Sequence, residues 1–120
     1  MKFLITGVSG FVGEELVNYL QQNPNHSILG IDRNKDFTSE KIIFKKCDLI
    51  TETEKLNKIF KDYRPDIVIH CASKILDTYD KKLVWQTNYY ATKDLINISS
   101  EYSVKKFIFI STFSIFQKNY

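Results

Sequence analysis

The segment from Lys2 to Leu20 reads KFLITGVSGFVGEELVNYL. It opens on a short apolar run, Lys2–Thr6, crosses glycines at 7, 10 and 13, and enters a helical pattern. The chain has 120 residues and only four glycines, so three of the four fall in this one turn. Their placement, directly after a strand and at the start of a helix, has a physical reason. Backbone that turns sharply there and approaches a pyrophosphate closely has no room for a Cβ. The helix N-terminus, at Phe11 and Val12, then offers free N–H groups and partial positive charge to the phosphates. Gly13 lets the helix pack against the sheet. Gly7, Gly10, Phe11, Val12 and Gly13 are therefore candidate dinucleotide contacts.

Asp32 extends that reading. It follows a second apolar run, Ser27–Ile31, and stands 19 residues past Gly13. An acidic residue roughly 20 residues beyond the glycines is placed to accept hydrogen bonds from the adenosine ribose hydroxyls. A carboxylate there repels a 2′-phosphate, which favours NAD over NADP. Arg33, next door, can soften that preference. A turn rich in glycine with no ligand is the plainer alternative, and the strand–turn–helix–strand–Asp context argues against it.

Further along, Ile42–Lys46, Asp66–His70 and Lys106–Ile110 are short runs rich in β-branched and aromatic residues. Near-continuous hydrophobicity suits strands covered on both faces. Helical patterns lie between them. Residues 11–22 place Val12, Leu16, Tyr19 and Leu20 on one stripe, and Asn23-Pro24-Asn25 stops that helix. Residues 52–61 place Leu56, Ile59 and Phe60 on one face, with Thr51 and Glu54 at capping-box spacing. Residues 80–102 step through Val84, Thr87, Ala91, Leu95, Ile98 and Tyr102, with Asn88 and Thr92 on an adjacent line. The order β-α-β-β-α-β-α-β predicts an open α/β parallel sheet with right-handed crossovers. The polar stretch from Asp32 to Lys41 is short for a helical crossover and reads as an irregular connection.

Composition narrows the function classes. Hydrophobic content of 43% and charged content of 26% are ordinary for one globular domain and exclude disorder or a collagen-like repeat. A net charge of +3, with scattered lysines, gives no argument for nucleic acid. No apolar run has the length of a signal-peptide core or a membrane helix, so the cytoplasm is the expected compartment, without a membrane partner. Two cysteines, Cys47 and Cys71, fit a reducing compartment. Two histidines and two cysteines without ligand spacing give no metal cluster.

The residues resemble a known family. The spacing is GxxGxxG, and LITGVSGFVGEELVNYL is similar to the opening of the extended short-chain dehydrogenases/reductases, the NAD-dependent epimerase/dehydratase family. The resemblance runs through essentially all 120 residues. Cys47-Asp48-Leu49 resembles the family segment whose aspartate meets the adenine amino group. PDIVIHCAS resembles the fourth strand, so that His70, Cys71, Ala72 and Ser73 would line the cofactor. NYYATKDLI resembles the Asn-x-x-x-Thr helix, which puts Asn88 near the site. VKKFIFISTFSIF resembles the fifth strand and gives Thr112 the place of the catalytic hydroxyl, with Ser111 its neighbour. The resemblance implies a Rossmann-like doubly wound sheet of five strands in the order 3-2-1-4-5. It also implies NAD as cofactor and, in the full-length family, a nucleotide-sugar substrate. Each carried residue has a plainer reading: Asp48 as a polar group flanking a helix, Asn88 as a polar helix position, Thr112 as a strand-end hydroxyl, and His70 as a strand-end histidine of the fold rather than an acid/base. With that strand order, Cys47 and Cys71 end strands three gaps apart, roughly 14 Å, so free thiols are expected.

The sequence departs from the family pattern after Thr112. The Tyr-x-x-x-Lys pair that makes a phenolate base in the family has no counterpart there. Tyr89…Lys93 and Tyr102…Lys106 have that spacing, but both precede Thr112. Phe116 stands where the family usually has tyrosine, and Gln117 where a glycine follows. The expectation is an N-terminal cofactor-binding portion, shorter than the family and inactive alone. A non-catalytic dinucleotide-binding protein and a truncated product without its own function are the alternatives. An under-covered face at Phe107–Ile110 is expected to favour low stability or a homo-oligomer.

Overall fold

The computed structural model describes residues 1–33, 40, 42–72 and 81–110, without the side chains of Leu83 and Thr87. Five strands form one sheet: β1 (Lys2–Thr6), β2 (Ser27–Asp32), β3 (Ile43–Lys46), β4 (Ile67–His70) and β5 (Lys106–Phe109). All pairings are parallel and the order is β3-β2-β1-β4-β5. Leu4 pairs with Leu29 on one side and Val68 on the other. The chain thus leaves the central β1 in one direction for β2 and β3, and returns on the other side for β4 and β5. This is the Rossmann-like doubly wound arrangement, and its switch point lies between β1 and β4.

Helices cover both faces. They are α1 (Phe11–Leu20), α2 (Thr53–Tyr63), α3 (Lys81–Trp85) and α4 (Ala91–Glu101), with a π-helical turn over Gln86–Tyr90 joining the last two. Strand alternation divides the core into two layers. Leu4, Leu29, Ile31 and Val68 pack with Leu56, Ile59, Phe60 and Tyr63 of α2 and Leu95 of α4. Phe3, Ile5, Ile28 and Ile69 pack on the opposite face with Val17 and Leu20 of α1.

Several local expectations need correction. The buried face of α1 is Gly13, Val17 and Leu20, whereas Val12 and Tyr19 are 41% and 71% exposed. The close approach of Gly13 to the sheet sets the rotation of this helix and turns Val17, four residues on, inward. The helix also ends at Leu20 rather than at residue 22. No capping box forms: α2 starts at Thr53 after Glu52, and no side chain caps it. Instead Asp48 N–H donates to Glu52 Oε1 at 3.0 Å, and the chain reaches α2 through that tie. The helix over residues 80–102 is interrupted by the π turn, closed by the Ala91 N–H to Gln86 O bond. The two edge strands are less covered than their composition suggests, with Ile43 47% and Phe109 49% exposed. The connection from Asp32 to Lys41 lies largely outside the described residues.

Candidate nucleotide-binding crevice

A turn from strand to helix builds one rim. Gly7 has φ +66°, a left-handed conformation, and a Cβ there would sit 2.7 Å from Ala72 N and Cα. Gly7 and Val8 donate their N–H groups to Ile31 O, which ties the turn to the end of β2. A Cβ on Gly13 would collide with the backbone of Gly7 and Val8. Gly10 differs from both. Its φ of −78° suits any residue, and among the described residues a Cβ would meet only Gly7 O, at 3.3 Å. Internal packing therefore explains glycine at 7 and 13, while the bare surface at 10 suits a ligand that comes close. The first helical bond is Glu14 N–H to Gly10 O, so the amides of Phe11, Val12 and Gly13 precede it. Those are the donors that a helix start presents to an anion.

These residues border a crevice of about 310 Å³ at the carboxyl ends of the strands. Gly7 and Gly10 form one side, with Asp32 and Arg33 at the end of β2. Asp48 and Leu49, after β3, and Cys71 and Ala72, after β4, complete it. The crevice thus gathers eight of the candidate residues. Phe11 and Val12 begin the helix beside it without lining it, Gly13 packs behind the turn, and Asn88 is exposed in the π turn. Ser73, Ser111, Thr112, Phe116 and Gln117 lie outside the described residues. Ser9, Ile31, Cys47 and Ile50 line the crevice without being candidate contacts from the sequence.

Among the described residues, Ser9 and Arg33 hold the Asp32 carboxylate. Ser9 donates to Oδ2 from its N–H at 3.1 Å and from Oγ at 2.5 Å. Arg33 N–H donates to Oδ1 at 2.8 Å. Asp48 turns one oxygen, Oδ1, back to the N–H groups of Ile50 and Thr51, so it shapes its own turn while bordering the crevice. Burial pushes the Cys71 thiol up to about 11, and burial together with Glu52 does the same for Cys47. Both thiols are free. Among the described residues, no group of three or more His, Cys, Asp or Glu side chains could hold a metal ion.

His70 lies below the crevice, 1% exposed. Thr92 Oγ1 donates to Asn88 O at 3.2 Å, so it accepts from His70 Nε2–H at 2.7 Å. The imidazole is then neutral and accepts at Nδ1 from Thr6 Oγ1, 2.6 Å away. Thr6 Oγ1 in turn accepts the Ala72 N–H at 3.2 Å. Burial lowers the His70 pKa to about 4, consistent with a neutral ring. The two Tyr…Lys spacings do not enter the crevice lining. Tyr102 donates to Asn57 Oδ1 at 2.8 Å, and Lys106 pairs with Ile67 at the amino end of β4, the end of the sheet away from the crevice.

The sequence pattern described as the NAD dependent epimerase/dehydratase family matches residues 3–119. The chain belongs to that family. Among curated members, the dTDP-D-glucose 4,6-dehydratase of Dictyostelium discoideum is 30% identical, with 96% of this chain covered and 30% of that protein. The UDP-glucuronate 4-epimerase of Thermodesulfobacterium geofontis is 28% identical over 95% of this chain and 40% of its own length. Among solved structures, the UDP-glucose 4-epimerase of Thermus thermophilus, in complex with NAD, superposes with a TM-score of 0.81 at 25% identity. It is covered over 93% of this chain and 38% of its own. The chain thus spans between 30% and 40% of the length of these three relatives. Among its described residues, no helix is long and apolar enough to cross a membrane.

Proposed function

We propose that this chain carries the dinucleotide-binding part of an NAD-dependent epimerase or dehydratase that acts on a nucleotide-activated sugar. The observation that carries the reading is the Asp32 carboxylate. It stands on the same crevice as Gly7 and Gly10, at the carboxyl end of β2. In this reading the amides at the start of α1 face the pyrophosphate, and Gly10 admits it closely. Asp32 accepts from the adenosine ribose hydroxyls and repels the 2′-phosphate of NADP. Asp48 and Leu49 would border the adenine, and Cys71 and Ala72, with Ser73, would line the cofactor. Asn88 and Thr112 belong to the reacting end, with Thr112 as the catalytic hydroxyl. Bound NAD would supply a hydride acceptor for a sugar carbon. The chain's own residues hold and orient it. A cytoplasmic location goes with this reading.

Thermal unfolding with and without nucleotide tests it. A ligand that binds only the folded chain raises the midpoint with concentration. NAD should raise it more than NADP, and Asp32→Ala should reduce the NAD effect. An unchanged midpoint at millimolar NAD, identical in Asp32→Ala, would count against the site.

A further inference from the structure

We infer that Ser9 is a positioning residue that sets the preference for NAD over NADP by fixing the Asp32 carboxylate. This rests on the proposed dinucleotide site. Ser9 lies between Gly7 and Gly10 and is on the crevice lining, yet glycine geometry gives it no role. Its backbone N–H and its hydroxyl converge on one oxygen, Asp32 Oδ2, across 23 residues of sequence. The turn that carries it is tied to β2 through Gly7 N–H and Val8 N–H on Ile31 O. The carboxylate is therefore oriented by bonds from the protein's own framework. The Ser9 hydroxyl joins this turn to the end of β2 as a side-chain donor, so it can be removed without cutting backbone.

The consequence is one of selectivity. A carboxylate held in place meets a ribose diol as an acceptor, and it meets a 2′-phosphate as a like charge that cannot turn aside. Without the Ser9 hydroxyl, Asp32 gains rotamer freedom. The diol then binds an acceptor that has to be ordered first, and the phosphate meets a carboxylate able to swing away. The Arg33 side chain, on the same rim, gives the phosphate a positive partner once that happens. Both effects lower the ratio of NAD to NADP affinity.

Titration of the full chain with NAD and with NADP tests this in Ser9→Ala, Ser9→Thr, Asp32→Ala and the Ser9→Ala/Asp32→Ala double variant. The cost of ordering the freed carboxylate on binding predicts NAD binding about two- to tenfold weaker in Ser9→Ala. NADP should change less, so the affinity ratio falls. Ser9→Thr, which keeps the hydroxyl, should restore it, and Ser9→Ala should add nothing in the Asp32→Ala background. A ratio unchanged in Ser9→Ala, or a full effect of Ser9→Ala without Asp32, overturns the inference while leaving the dinucleotide site standing. Urea unfolding of the same four variants without nucleotide supplies the second arm. Stability coupling between Ser9 and Asp32, accompanied by no binding of either nucleotide to the wild type, rejects the dinucleotide site and the selectivity role together.

Discussion

Thr6 Oγ1 and His70 Nδ1 stand 2.6 Å apart between the two central strands, in register as the last residues of β1 and β4. The pair belongs to a directional chain that starts at the Ala72 amide on the crevice and ends at the Asn88 carbonyl in the π turn. His70 thereby fastens the switch point to the helix packed over it. It needs a neutral ring to do so, because Nδ1 accepts.

The first prediction follows from that requirement. The folded pKa of about 4 lies below the ordinary value of 6.5. Between those values the unfolded chain takes up a proton that the folded chain refuses. The His70 contribution is therefore complete above pH 6.5, falls as pH drops through this window, and levels off below about 4. The shift corresponds to about 3 kcal/mol. Urea unfolding at a series of pH values should show this slope in wild type. Subtracting a His70→Asn series should isolate it. Equal slopes in both proteins would mean that the ring is charged in the folded state.

The glycines predict two different failures. Gly13→Ala forces a Cβ into the Gly7–Val8 backbone, 2.8 Å from Val8 Cα, where nothing can move aside cheaply. It should destabilise the fold by about 1–3 kcal/mol or more. Gly10→Ala meets a single oxygen at 3.3 Å and should unfold near the wild-type midpoint. Gly10 lines the crevice, so the cost of its added methyl should appear in NAD affinity, about tenfold or more. Equal stability losses in the two variants would remove the distinction between the packing glycine and the binding glycine.

Much of this architecture is legible in the sequence because the central strands and the turn obey strong local constraints. Lys2–Thr6 is apolar, short and followed by glycine, and it has few alternatives to a buried strand. Asp32 is found by its distance from Gly13. What escapes is set by relationships that no local pattern encodes. Val84 and Ala91 are buried seven residues apart, a spacing that an uninterrupted α-helix also satisfies, so the widened turn between them leaves no trace in periodicity. Edge position is decided by strand order, so Ile43 and Phe109 read as core residues although β3 and β5 have one neighbour each. In α1 the apolar Val12 and Tyr19 compete with Gly13 for the inner face, and close backbone approach outweighs side-chain area. Ser9 was readable in principle: a hydroxyl between two turn glycines, facing an acid at the next strand end, is a donor next to its acceptor.

The thiols give a third prediction. Cys71 and Cys47 both have pKa values pushed up to about 11 from 9. At pH 8 their thiolate fraction is then about a hundredfold below that of an unperturbed thiol, and the thiolate is the reacting species. Alkylation by iodoacetamide should be slower by about that factor in the native chain and should recover in urea. Cys71 lines the crevice, so NAD should slow it further. Fast native labelling of Cys71, counted by mass, would contradict its burial. Labelling unaffected by NAD would separate Cys71 from the cofactor site.

The last prediction concerns Tyr102 and Lys106, whose spacing imitates a catalytic pair. Tyr102 packs against Phe60, with ring centroids 6.0 Å apart, and lies under Arg64, whose guanidinium is 5.0 Å from its ring centre. Its hydroxyl is committed to Asn57. Lys106 starts β5, while the crevice opens at the other ends of the strands. Tyr102→Phe should therefore cost only the Asn57 hydrogen bond, about 0.5–1.5 kcal/mol. Lys106→Ala should change stability by less than about 0.5 kcal/mol, as exposed substitutions do. Neither should alter NAD affinity by more than about twofold, a difference below about 0.4 kcal/mol. A larger loss of NAD binding in either variant, at unchanged stability, would place this pair at the cofactor after all. The crevice at the carboxyl ends of the strands would then be the wrong site.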